Sequence, residues 1–371
     1  MFTGWTHEEG VPVPLEPGPP WPGWAGIGRR LASAGHQFGW PVAMALLALA
    51  VALLALGSGR YPLGPGAIVA WLAHLAGIAP LPPAQAELLH RVLLEIRLPR
   101  VAASLLVGAA LSVSGAAFQS VFRNPLVSPD LLGVMAGASA GAAMGMLWPL
   151  PWPGVQALAF AGGLAAVALG VGIAQVFGGA TVLMLVLGGI VSGAFFTALL
   201  SLAKVLADPY QQLPGIVYWL MGNLGQATLA QVALAAGPVA AIATALCVAG
   251  RRLDALAMGD DEAYSLGVPA GALRMAVIAL ATLACALTVS LAGMIGWVGL
   301  VVPHAARLLT GPGNGRLLPT AAFLGAALLC ACDLLARNTL QADIPIGIVT
   351  QLLGIPLFLL VATRARRGWR E

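Results

Sequence analysis

Residues 97–141 read RLPRVAASLLVGAALSVSGAAFQSVFRNPLVSPDLLGVMAGASAG, and the fold follows from where this stretch places its polar residues. From Arg100 to Arg123 it runs without a charge through Ala, Leu, Val, Gly and Ser, long enough to cross about 30 Å of hydrocarbon as a helix. "RNPLVSP" (123–129) then sets two prolines and an asparagine where that helix should end. This predicts a bend, with the amides of Gln119 and Asn124 placed to satisfy backbone groups freed beside Pro125. A second apolar run starts at Asp130, which follows Ser128 and Pro129 and can cap a helix N-terminus; a substrate role is the alternative.

The same alternation of apolar runs and Gly/Pro/charge punctuation extends along the chain. Of its 371 residues 59% are hydrophobic and only 9% charged, against about a quarter in a soluble domain. The runs predict spans near 41–57, 100–121, 130–148, 154–177, 181–203, 230–250, 270–292, 294–310, 316–336 and 344–362. No ten-residue segments of alternating polarity occur, so a membrane barrel is excluded and helices are the spanning element. The fold class is all-α: a polytopic membrane protein of about ten transmembrane helices. "VVPHAAR", with Pro303, His304 and Arg307, repeats the bend theme, and this faint echo divides the chain after its first helix into two related halves, 100–203 and 270–362.

Residues 1–40 interleave prolines with Gly and Trp and read as a flexible, non-spanning tail; residues 364–371 form a short basic tail. Met1 to Gly10 has neither the basic start nor the apolar run of a cleaved signal, so the first apolar helix is expected to stay as an anchor. Net charge is +4, but the basic residues flank the spans, which speaks for membrane orientation and against nucleic acid. Twelve of the 18 fall on the side of the termini and six opposite, placing both termini in the cytoplasm. Cys247, Cys285, Cys330 and Cys332 lie within spans and suggest neither disulfides nor a zinc site.

The absent motifs separate function classes. There is no phosphate-binding G-x-x-x-x-G-K-[ST] loop, and Lys204 is the sole lysine; nor is there an H-E-x-x-H or a Cys/His cluster for a catalytic metal. A membrane-embedded enzyme lacks its nucleophile, base and metal here. An ion-coupled secondary transporter is the alternative, but it needs ionisable residues in mid-membrane, and Asp and Glu are nearly confined to loops and span ends, including Asp333 near a helix end.

Four strings, taken together, carry a resemblance: residues 97–141, "MGDDEAYSLGV" (258–268), "LAGMIGWVGLVVPHAARLLTGPGNGRLLPTAAFLGAALLCACDLLARN" (291–338) and "DIPIGIVTQLLGIPLFLL" from Asp343. Over residues 42–363 the chain resembles the FecCD-type permease family, the membrane subunits of type II ABC importers for iron-siderophores, haem and cobalamin. Where Asp343 stands a glutamate is more usual, which shortens the acid and keeps its charge.

The resemblance implies a permease domain over 41–363 of ten helices, working as a homodimer in the bacterial inner membrane. Two cytoplasmic ATP-binding subunits and a periplasmic binding protein complete the system. It implies no enzyme and no cofactor in this chain, with ATP and Mg held by the partners. It makes Gly259, Asp260, Asp261, Glu262, Leu266 and Gly267 the segment that couples to the ATP-binding subunit, with a solvated loop as the plain alternative. Arg97, Arg100 and Arg337 match arginines that dock the binding protein; Arg97 and Arg100 also suit interfacial anchors. The path is expected along the helix from Thr181, where Gly188, Gly189, Ser192 and Gly193 leave room, gated at the turn Gly178, Gly179 to Thr181. His304 belongs to the motif whatever the cargo. Tyr210, Tyr218 and Trp219 in 204–229 read as interfacial belt residues or as specificity contacts. Candidate cargoes are iron chelates, haem, cobalamin and small metal oxyanions.

Overall fold

The computed structural model describes residues 39–367, apart from 60, 62, 180 and 341; the Pro-rich tail expected over 1–40 lies almost wholly outside the described residues. Helix α1 is Trp40–Gly57, followed by two short helices, α2 (Pro65–Leu75) and α3 (Pro83–His90), and a π-helical stretch, Arg91–Arg97. The main bundle continues with α4 (Leu98–Val121), a 3₁₀ turn (Pro129–Leu132), α5 (Val134–Leu147), α6 (Trp152–Gly178) and α7 (Val182–Leu206). Then come the short α8 (Leu213–Leu220), α9 (Leu229–Val248), and the polar pair α10 (Gly250–Met258) and α11 (Asp260–Ser265). Helices α12 (Ala270–Ala292), α13 (Val298–Thr310), α14 (Asn314–Asn338) and α15 (Ile346–Arg367) complete the fold. No strand occurs among the described residues.

Helix boundaries follow local chemistry. Prolines occupy the first turn of α1, α4 and α6, where a missing N–H costs nothing. Thr228 and Gln231 form a reciprocal capping box at the start of α9. Each of the ten expected spans has its helix, with ends moved by a few residues, α15 running on to Arg367. Seven described helices are long and apolar enough to cross a membrane; α5, α13 and the apolar part of α15 are shorter.

Helix α4 is the hub. It packs against α1, α9, α12, α13 and α14, and from Ala110 to Val121 every side chain is buried. This closeness depends on missing side chains: a Cβ on Gly108 would collide with the Gly325 carbonyl of α14, and one on Gly115 with the Gly299 carbonyl of α13. Without a hydrophobic drive between helices in lipid, such small-residue contacts supply the packing that holds them together.

The expected internal repeat is visible in the elements. Helices α4 to α7 are 24, 14, 27 and 25 residues long, and α12 to α15 are 23, 13, 25 and 22. In each half the short second helix is preceded by irregular chain bounded by left-handed residues, Arg123 (φ 50°) and Gly133 (φ 78°) in one, Gly293 (φ 71°) and Trp297 (φ 70°) in the other. The halves run in opposite senses. Arg100, at the start of α4, meets Asp333 near the end of α14, whereas α14 begins beside Asp254, in the polar segment that leads into α12. This is the inverted arrangement in which two related halves can rock about a common middle.

Gly115→Ala is expected to lower stability in detergent by about 1–3 kcal/mol through overpacking. Gly172→Ala, at a helix position with open space around it, should leave the melting temperature unchanged or raised.

Candidate functional site

The polar chemistry of the bundle is concentrated at its two ends. At the end where α4 begins, Arg97 Nη1 donates to the carbonyls of Leu56 (2.7 Å) and Gly57 (2.9 Å), and its Nη2 donates to Tyr61 O. Arg337 Nη2 donates to Ala55 O at 2.5 Å. Two guanidinium groups thus satisfy the last carbonyls of α1 and oppose the negative end of its dipole. Arg100 Nε donates to Asp333 Oδ1 at 2.7 Å and its Nη1 to Asp343 Oδ2 at 2.6 Å, while Arg337 Nε lies 3.6 Å from Asp333 Oδ2. Asp333, read from sequence as a residue near a helix end, is wholly buried inside α14 and is the counter-ion of this network.

The three arginines expected to dock a partner do converge, around a cavity of about 250 Å³ that also touches Gly59, Tyr61 and Asp343. Two of the three also have a structural task. Arg97 and Arg337 are only 4% and 6% exposed, because α1 and α14 need their N–H groups. What faces the cavity is the excess of three guanidinium groups over two carboxylates, a positive field better described than any single arginine.

At the opposite end, Asp254 Oδ1 accepts from the Asn314 backbone (2.7 Å) and side-chain amide (2.8 Å), and Ser120 Oγ donates to Asn314 Oδ1 (2.8 Å). This cap for α14 was not legible in sequence, since 60 residues separate its members. The residues of the two bend motifs make the following contacts. Gln119 Nε2 donates to Leu300 O (3.3 Å) in the turn of α13 before Pro303, whose ring crowds that turn, and Gln119 Oε1 accepts from Arg307 (3.2 Å). Asn124 Oδ1 accepts from Leu126 N (2.9 Å) across Pro125. His304 meets the Phe358 ring at a centroid distance of 6.3 Å. Gln119, Asn124, Asp254, His304, Arg307 and Asn314 line, with Arg123 and Met258, an open cavity of about 830 Å³.

Beside this cavity stands α11, a six-residue helix with an acidic first turn of Asp260, Asp261 and Glu262. Gly267 ends it in the left-handed region (φ 75°), its N–H reaching Tyr264 O (3.0 Å) while Val268 N reaches Ala263 O (2.8 Å), a Schellman closure. Ala263 is buried, but Asp261, Glu262, Tyr264 and Leu266 are exposed, with Gly259 tucked beneath. Asp260 is tied down: its Oδ1 accepts from Arg274 Nη2 at 2.6 Å and lies 3.9 Å from Arg123. The Arg274 hydrogen bond holds the Asp260 carboxyl below its ordinary value of 3.8. The bond therefore stabilises at neutral pH and is lost only as pH falls through that depressed value.

The small residues expected to make room along the path make room for protein instead. Gly188 faces Gly170 of α6, Gly189 faces the Leu131 carbonyl, and Ser192 Oγ donates to Ala166 O at 2.6 Å, all three buried within the protomer. Gly193 lies against Gly133. The exposed face of α7 carries Leu187, Ile190, Val191 and Phe195. At the turn before it, Gly178 (φ 158°) and Gly179 (φ 80°) break the chain between helices, and Thr181 Oγ1 accepts from Met184 N (3.3 Å) to start α7. Among the described residues no group of His, Cys, Asp and Glu is placed to hold a metal ion, and the four cysteines are free thiols.

An all-helical bundle with charge at its ends and packed apolar helices between belongs to the class of polytopic membrane transport proteins. Within that class, the chain belongs to the FecCD transport family, which matches residues 46–364. It is 34% identical over 325 residues to the molybdate import system permease protein MolB of Haemophilus influenzae, covering 88% of this chain and 95% of that one. It is 37% identical over 275 residues to a protein of Helicobacter pylori strain 26695 named as an iron chelatin transport system permease, covering 74% and 83%. A solved structure described as a metal-chelate type ABC transporter in an inward-facing conformation superposes with a TM-score of 0.77 at 33% identity, covering 87% of this chain and 98% of that one. The family is one of transport permeases, not of enzymes.

Asp333→Ala strips the arginine cluster of its buried counter-ion and is expected to destabilise the bundle by about 3–5 kcal/mol. Combining it with Arg100→Met should recover part of that loss in a thermal melt, since removing both charges costs less than orphaning one.

Proposed function

We propose that this chain is the membrane subunit of an ATP-driven importer that carries a metal chelate across the bacterial inner membrane, with both termini in the cytoplasm. Two copies form the path, two cytoplasmic subunits bind and hydrolyse Mg-ATP, and a periplasmic binding protein delivers the cargo. The observation that carries this reading is α11. It is a rigidly capped helix that presents acids beside apolar tips at the end of the bundle, with Asp260 roped to α12 through Arg274. Motion imposed on it by a docked subunit has a direct mechanical route into the second half of the fold. At the other end, the surplus positive charge around the 250 Å³ cavity suits an acidic docking side chain from the binding protein. The turn at Gly178 to Thr181 serves as gate, and the apolar outer face of α7 as the wall along which cargo passes.

The relatives are named for different cargoes, molybdate and iron chelate among them. We infer an iron chelate as the cargo. Proteoliposomes containing this chain, its ATP-binding subunit and a binding protein loaded in turn with ferric siderophore, haem, cobalamin or molybdate decide the matter. ATP-dependent accumulation of the ferric siderophore is the expected result; accumulation of another cargo alone replaces the substrate, and accumulation without the ATP-binding subunit points to an ion-coupled carrier.

Reversing the exposed acids, Asp261→Lys with Glu262→Lys, is expected to cut co-purification of the ATP-binding subunit about tenfold by setting like charges against its docking cleft. The melting temperature of the isolated chain should barely move, because both side chains are exposed and neither forms an ion pair among the described residues. Undiminished co-purification and ATP hydrolysis remove α11 from the coupling role.

A further inference from the structure

The two irregular segments that precede the short helices are related by the internal repeat but differ in one respect. In the second, 293–297, Gly293 and Ile295 are buried, Met294, Gly296 and Trp297 half-buried, and no residue ionises. In the first, Val127, Pro129 and Leu132 are buried, yet Asp130 stands exposed. Among the described residues its carboxylate accepts one hydrogen bond, from Met135 N at 3.3 Å in the first turn of α5, and forms no ion pair.

The depth of this carboxylate is fixed by α7. Between Val182 and Lys204 that helix is apolar over about 33 Å, close to the full hydrocarbon thickness of about 30 Å. Leu131 packs on Gly189 and Gly133 on Gly193, so the segment lies about 10–16 Å inside the start of α7. An exposed carboxylate and irregular backbone at that depth do not face lipid; they require either burial in protein or a water-filled route. Asp130 is exposed on this protomer, so its cover is either water or a second copy, and the labelling test below separates the two.

We propose that Asp130 faces the aqueous translocation route beside α7 and selects cargo by charge, favouring neutral or cationic complexes over anionic ones. Cargo would pass the carboxylate near the gate turn at Gly178 to Thr181, where a fixed negative charge in a low-dielectric wall acts at short range. This rests on the importer reading, and the test separates the two.

In the full chain reconstituted with its partners, Asp130→Cys is exposed to a charged, membrane-impermeant maleimide, with the labelling of the native thiols subtracted. The comparison is Leu49→Cys, in the exposed middle of α1. Labelling at position 130 at least about tenfold faster than at position 49 is expected, since a charged reagent does not partition into hydrocarbon. Equal, negligible labelling overturns the proposal even if transport is intact. In the uptake assay, Asp130→Asn should raise accumulation of a negatively charged chelate about tenfold relative to a neutral one. An unchanged ratio in a working importer overturns charge selection, whereas absence of uptake in the wild type counts against the importer reading and leaves the labelling result to decide where Asp130 points.

Discussion

Backbone hydrogen bonding in hydrocarbon has no partner but the chain itself, so each crossing must be a helix, and the helices must then find each other without help from water. In this protein that second task falls on α4. Its glycines bring it into backbone contact with α13 at Gly115 and Gly299 and with α14 at Gly108 and Gly325. The remaining elements are arranged around that contact: α1 lies along α14, α9 and α12 cover the other flank, and both polar clusters form where α4 starts and where it stops. The arginine cluster at one end and the Gln119–Arg307 and Asp254–Asn314 links at the other fasten the same set of helices, so charge closes what glycine packing brings together.

The inverted halves give this arrangement a functional meaning. Each half inserts irregular chain before its short helix, and each bounds that chain with residues in the left-handed region. One half buries this segment under Gly222 and α15, through contacts of Gly222 and Gly347 with Met294 and of Gly354 with Trp297. The other packs it on α7 and leaves a carboxylate uncovered. The two related halves therefore differ at this segment.

Much of the fold was legible because hydrophobic length is a one-dimensional property. A run such as Val101 to Phe122 reports its own helix, and the prolines at 125 and 129 report its end. The α11 segment was legible for a similar reason, since Gly259 and Gly267 bracket it locally. The arginines were legible, but their hydrogen-bond partners were not. A basic residue at a span end looks the same in sequence whether it reaches out to a partner or back to a helix C-terminus, and Arg97 and Arg337 reach back. The small residues of α7 carried a comparable ambiguity: Gly188 and Ser192 leave space, but spacing alone does not say which neighbour fills it.

The sequence by itself determined the solvent of this protein, the order of its ten long apolar runs, and the family to which it belongs, since all of these depend on composition and on motifs contiguous along the chain. The tertiary structure alone decided which end of each charged side chain is satisfied and by what. Asp333 becomes a counter-ion, Asp254 a cap for α14, and Asp130 an exposed acid at depth only once helices distant in sequence are laid side by side. Electrostatic energy depends on separation in space and on local dielectric, and neither quantity is written in the order of residues.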